Sequence, residues 1–204
     1  MNLPNQLTVA RFIMALVFVG LMSFHIVACY FLAYLVFIAA TLTDYYDGKI
    51  ARERNLITNF GKLLDPVADK VLLIGAFVML MGVPLLHVPG WTIVAIIARE
   101  FLITGVRSLA ATEGHVIAAD SWGKAKTVIQ IIYVLTFLAL AIIIRLIESF
   151  PSVVALLPGG LPLYAHIIRR ASFWAIVAVA VFTVYSGIQF MRVNWKALHI
   201  GSEL

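Results

Sequence analysis

Apolar residues in this chain neither alternate nor mark one face of short amphipathic helices; they run in six long blocks. The blocks are about Leu7–Phe24, Ile26–Leu42, Pro66–Leu86, Trp91–Ala111, Thr127–Ile147 and Phe173–Phe190. Each is close to the roughly 20 residues a helix needs to cross a hydrocarbon core of about 30 Å. Polar breaks fall at His25, over Asp44–Asp65, at His87–Gly90, over Glu113–Lys124 and in the Pro/Gly-rich stretch Glu148–His166. The pattern predicts an all-α integral membrane protein, a six-transmembrane-helix bundle with both termini on one side.

Composition agrees with this class. Of 204 residues, 63% are hydrophobic and 12% charged, whereas soluble domains carry about 25% charged residues. No polar stretch reaches the roughly 50 residues a separate soluble domain would need, so residues 1–204 read as one polytopic domain. Arg145, Arg169 and Arg170 fall near one face. Lys124, Lys126, Arg192, Lys196 and a basic loop over Lys49–Lys62 fall near the other, which the positive-inside rule makes cytoplasmic. The formal charge of +5 suits a rim facing anionic headgroups. Nucleic acid is not implied, because the cations form no continuous stripe with stacking aromatics. The first block resembles a signal peptide only faintly, since a second apolar block follows at once. Cys29 is the one cysteine, which excludes an intramolecular disulfide.

Four aspartates, in a chain with only ten acidic residues, sit where the second and third blocks meet, in TDYYDGKIARERNLITNFGKLLDPVADK. Asp44 and Asp47 are three apart and Asp65 and Asp69 four apart, spacings that put each pair on one face if the backbone is helical. Four uncompensated carboxylates at the edge of a low-dielectric bundle would repel one another unless cations held them. A divalent metal bound by Asp44, Asp47, Asp65 and Asp69 answers this, and oxygen-only ligation favours Mg²⁺, Mn²⁺ or Ca²⁺ over zinc. Gly48 and Gly61 allow close approach of a ligand, and Arg52 can give a bidentate donor to a phosphate. The set suggests a substrate with a phosphate head in water and acyl chains in lipid.

The frame Asp44-x2-Asp47-Gly48-x2-Ala51-Arg52-x8-Gly61-x3-Asp65-x3-Asp69 resembles, without a departure, the signature of the CDP-alcohol phosphotransferases. That resemblance implies a six-helix membrane enzyme, usually a homodimer, in which an alcohol displaces CMP from a CDP-linked lipid. It implies that Asp44, Asp47 and Asp65 bind metal, Mg²⁺ or Mn²⁺, and that Asp69 is the general base. By the same resemblance Asp44, Gly48, Ala51, Arg52, Gly61 and Asp65 hold the CDP-linked lipid. The segments NLPNQLTVAR, LLDPVADKVL and AREFLITGVRSLAATEG with SWGKAKT look like the bacterial phosphatidylglycerophosphate synthases. Those use CDP-diacylglycerol and glycerol 3-phosphate, with the active site at the cytoplasmic face of the inner membrane.

An anionic acceptor also follows from the cations. Arg99 and Arg107 lie inside the fourth block, where an unpaired charge costs about 2.5 kcal/mol or more. Glu100 is a poor partner for Arg99, because adjacent helical positions point about 100° apart. With Thr8, Arg11, Lys124 and Lys126 these arginines would form a pocket for the phosphate of glycerol 3-phosphate. Each has a plainer reading as an ion pair, a snorkelling side chain or a topology signal, and Lys49, Arg54 and Lys62 read as rim charges. Tyr45, Tyr46 and the tryptophans Trp91, Trp122, Trp174 and Trp195 read as interface-belt residues. Two other functions stay open. One is the same chemistry with serine, an inositol phosphate or phosphatidylglycerol as acceptor, and the other is a cation- or proton-coupled transporter, which would need acids deeper in several spans.

Overall fold

The computed structural model describes the backbone of residues 3–54, 59–112, 121–150, 158 and 160–195, and the side chains of 6–44, 70–112, 121–150, 158 and 160–195. The described residues form six helices: α1 (Leu3–Ser23), α2 (Val27–Arg54), α3 (Asn59–Met81), α4 (Gly90–Thr112), α5 (Ser121–Glu148) and α6 (Gly160–Asn194).

Each of the six expected spans contains a helix, but the third ends at Met81, short of the expected Leu86, where Gly82 and Pro84 turn the chain; three helices extend well beyond their apolar blocks. α2 continues through Asp44 to Arg54 and α3 starts at Asn59, so the expected Lys49–Lys62 loop is largely helix. The polar run YYDGKIARER consists mostly of acceptable helix formers; hydropathy marks where lipid ends, not where the helix ends. α3 likewise begins seven residues before Pro66 and runs through it. α6 starts at Gly160 instead of Phe173. Gly160 takes a φ of 68°, a left-handed conformation that suits glycine, and Pro162 follows in the first turn, where its missing N–H costs nothing. The expected break over Glu148–His166 thus closes at Gly160, where α6 begins, while residues 151–157 and 159 lie outside the described residues.

α1 packs against α2 and α3, α4 against α6, and α5 against α2, α3 and α6. The α1–α2 pair is antiparallel, with Phe18 on Phe37 (centroids 5.6 Å apart) in mid-membrane and Arg11 on Asp44 at one end. Gly75 of α3 lets the backbones close up, since a Cβ there would sit 3.0 Å from Val19. The core is aromatic and aliphatic, with Phe18, Tyr30, Phe37, Phe77, Leu138 and Ile176 buried. The outside is equally apolar: Val94, Phe101, Trp174 and Val181 are each at least 60% exposed. That combination belongs to a bundle solvated by lipid.

Helices α1, α2, α5 and α6 each carry an apolar window long enough to cross a bilayer. α4 has the length but holds Arg99, Glu100 and Arg107, and the described apolar part of α3 is Lys70–Met81. The two helices least suited to lipid both contribute to the wall of the polar cavity described below. Trp174 and Trp195 are both exposed on α6, twenty-one residues apart and hence about 31 Å along the axis. Trp91 opens α4 at the Trp174 end, and Trp122 opens α5 at the Trp195 end with its ring packed on Phe182 and Tyr185 of α6.

Candidate active site

The aspartate frame lies on two consecutive helices at the Trp122/Trp195 end. Asp44, Asp47, Gly48, Ala51 and Arg52 are in α2, and Gly61, Asp65 and Asp69 in α3. Helical backbone at both places meets the condition under which the three- and four-residue spacings align each acidic pair. The side chains of Asp47, Arg52, Asp65 and Asp69, and the surroundings of Gly48, Ala51 and Gly61, lie outside the described residues. Of the frame, only Asp44 can be followed to its contacts. Its carboxylate is 49% exposed and accepts from Arg11 Nη1 at 3.0 Å, and that arginine is 2% exposed. An oxygen-only donor set of aspartates suits a hard divalent cation; among the described residues alone, no cluster of three His, Cys, Asp or Glu side chains forms a metal site.

Beside Asp44 opens a cavity of about 590 Å³ lined by residues of α1–α5. Arg11, Lys70, Arg99, Arg107, Lys124 and Lys126 line it, against the two carboxylates Asp44 and Glu100. Five of the six residues expected around an acceptor phosphate are thereby brought together. Thr8 is not: it is buried at 1% exposure on α1, one turn before Arg11, and does not reach the lining.

Each cation is held differently. Lys126 pairs with Glu100 across the α4–α5 gap, while Arg99 Nη1 reaches the same carboxylate at a long 3.5 Å. Glu100, expected to be a poor partner for Arg99, does reach it, though only at that long distance, and its closer partner is Lys126, which the sequence does not show. Arg99 also donates to Ser186 Oγ on α6 at 3.0 Å. It can do so because Gly187 has no side chain, since a Cβ there would sit 2.9 Å from Arg99 Cγ. Lys70 donates to Thr104 Oγ1 and lies 5.5 Å from the centre of the Phe101 ring. Arg107 rests its guanidinium 4.9 Å from the centre of the Phe190 ring, a contact that leaves its donors free for an anion. Among the described residues, Arg107 and Lys124 make no hydrogen bond or ion pair.

Lys70, Glu100 and Thr104 were missed as parts of this site. Lys70 had a legible signal: it heads an apolar run inside a spanning helix, the argument that selected Arg99 and Arg107. The Glu100–Lys126 pair joins residues 26 apart in the chain and leaves no local trace. Next to the polar cavity, an apolar groove of about 730 Å³ runs between α4 and α6 and meets it at Arg99 and Ile103.

The chemistry this end can support is binding of a polyanion between a carboxylate frame and a cationic wall. Over residues 1–184 the chain matches the family described as CDP-alcohol phosphatidyltransferase. It is 36% identical to the CDP-diacylglycerol–glycerol-3-phosphate 3-phosphatidyltransferase of Bacillus subtilis, covering 97% of both chains. It is 40% identical to the protein of that name from Rickettsia bellii over 63% of this chain and 70% of the relative. With the Haemophilus influenzae protein of the same name it shares 32% identity over 94% and 92% of the two chains. The unbroken aspartate frame, the helical bundle that carries it and these likenesses agree: this chain is a member of the CDP-alcohol phosphatidyltransferase family.

Proposed function

We propose that the protein transfers the phosphatidyl group of CDP-diacylglycerol to sn-glycerol 3-phosphate, releasing CMP and forming phosphatidylglycerophosphate. The relatives' names supply the reaction class, and the cavity supports the acceptor. Arg107 and Lys124, which make no hydrogen bond or ion pair among the described residues, face one space with four further cations, and a phosphomonoester would compensate their charge. Serine or another neutral alcohol would leave it unbalanced.

In this mechanism Asp69 accepts the proton of the glycerol 3-phosphate 1-hydroxyl. The hydroxyl oxygen attacks the phosphorus that carries diacylglycerol, and the bond to CMP breaks. Arg107 and Lys124 meet the acceptor phosphate with uncommitted donors, while Arg99 and Lys126, tied to Glu100, shape the wall behind it. Arg52, Gly48, Ala51 and Gly61 receive the CDP-linked lipid, and Arg11 orients Asp44. Mg²⁺ or Mn²⁺ held by Asp44, Asp47 and Asp65, with Asp69 beside them, would neutralise pyrophosphate charge. The reading places this end at the cytoplasmic face of the bacterial inner membrane, where the water-soluble acceptor is available, and takes the working unit as a homodimer.

The deciding assay is CMP release by purified, detergent-solubilised protein given CDP-diacylglycerol and Mg²⁺. Glycerol 3-phosphate is compared with serine, an inositol phosphate and phosphatidylglycerol. Release with glycerol 3-phosphate alone is expected; equal release with serine would overturn the acceptor assignment, and omission of the divalent ion should abolish turnover.

A further inference from the structure

The end of the bundle remote from the aspartates carries a second basic concavity. His87, His166, Arg169, Arg170, Phe173 and Trp174 line a space of about 480 Å³. Positions 166, 169, 170, 173 and 174 follow the i, i+3, i+4, i+7, i+8 pattern and so form one stripe on α6. The loop before α4 closes its side. There the His87 N–H donates to Ser172 Oγ at 2.9 Å, and the His87 ring lies on Phe173 with centroids 5.1 Å apart. Phe173 in turn meets Trp174 edge-on at 5.1 Å and 80°.

Depth along α6 indicates what such a site would meet. Trp174, 67% exposed, marks the belt at this interface, and tryptophan settles at headgroup level. Arg170, Arg169 and His166 lie four, five and eight residues beyond it, about 6, 7.5 and 12 Å farther from the bilayer centre. The headgroup layer is about 5–7.5 Å deep on each side, so the two arginines fall at the level of lipid phosphates and His166 at its outer edge. Neither arginine has an ion-pair partner among the described residues. Paired arginines on the non-cytoplasmic side also run against the usual distribution of basic residues.

We propose that this concavity binds the phosphate headgroup of an anionic phospholipid in the leaflet opposite the active site. Arg169 and Arg170 hold the phosphate and Phe173 and Trp174 pack against the glycerol and upper acyl carbons. Basic pockets between membrane helices take anionic headgroups in this way. The site is independent of the proposed reaction, since it shares no residue with the catalytic end.

The test is native mass spectrometry of the purified full chain titrated with phosphatidylglycerol or phosphatidylcholine. Wild type is set beside Arg169→Gln/Arg170→Gln and Arg169→Lys/Arg170→Lys. The glutamine pair should lose phosphatidylglycerol affinity by about tenfold or more, and the lysine pair should largely keep it. Phosphatidylcholine binding should be weak in all three, with elution profile, melting temperature and CMP release unchanged. Equal phosphatidylglycerol retention by the glutamine pair, or equal binding of phosphatidylcholine and phosphatidylglycerol by wild type, would overturn the proposal. Displacement of the lipid by millimolar inorganic phosphate would reassign the site to a soluble anion and overturn it as well.

Discussion

Four aspartates between Asp44 and Asp69 occupy two consecutive helices, whereas the six cations beside them come from α1, α3, α4 and α5, with Arg11 and Lys126 more than a hundred residues apart. The acidic frame is local: two helix segments joined by a short connection carry all of it. The cationic cavity exists only once the bundle has packed, and its members lean on one another through Glu100, Thr104, Ser186 and the space left by Gly187. In the proposed reaction the first region handles what is common to CDP-linked lipids and the second chooses the alcohol. The acceptor preference of this architecture could therefore change without touching the aspartates.

The contrast is sharpest at Asp69. Replacing it with Asn should cut turnover by about 10²–10⁴-fold while metal-dependent binding of the CDP-linked lipid persists, whereas Asp44→Asn should lose both. CMP release alongside CDP-lipid binding separates the two, and a turnover-competent Asp69→Asn protein would remove Asp69 as base. In the cavity, Arg107→Gln removes charge-assisted hydrogen bonds worth about 1.5–3 kcal/mol. The Michaelis constant for glycerol 3-phosphate should rise by at least about tenfold, with little change in that for CDP-diacylglycerol. A rise confined to the CDP-lipid constant would move Arg107 to the other region. Gly187→Ala touches no substrate but pushes on Arg99 Cγ. Overpacking of this kind costs about 1–3 kcal/mol, so a lower melting temperature and a several-fold loss of acceptor affinity are expected together. An unchanged acceptor constant would show that Arg99 works from a shifted position. Lys124→Ala should do least, about two- to threefold on the acceptor constant and less at high salt, because the side chain is exposed and screened. A salt-independent loss would mean that Lys124 is buried by bound substrate.

The same contrast explains how far the sequence could be read. Six helices and the aspartate frame are written in runs and spacings within one or two helices. Arg99 and Arg107 were found because charge inside a spanning segment needs a reason, and Lys126 because it enters the fifth span, yet the partners were invisible: nothing near Glu100 points to Lys126, and nothing near Arg99 points to Ser186. Thr8 was grouped with Arg11 because both enter the first span; it is as buried as Arg11 but, among the described residues, only Arg11 of the two reaches the cavity lining. Helix ends were misplaced wherever the helix continued into water, as in α2 beyond Asp44, because apolar character reports the solvent while the helix follows backbone hydrogen bonds.

α6 is tied to its neighbours by polar bonds at three heights: Ser172 with the His87 N–H, Thr183 with Gln130 at 3.1 Å, and Ser186 with Arg99. Their partners sit on two other helices and a loop, so a one-residue slip, which turns the helix by 100°, breaks all three together. At about 0.6 kcal/mol for an average polar bond between membrane helices, the three amount to about 2 kcal/mol. That holds a slipped α6 to roughly a twentieth of the population. The helix is in effect an indexed shaft whose rotational setting, fixed at three points between Ser172 and Ser186, keeps Arg99 aimed while the lipids around it remain fluid.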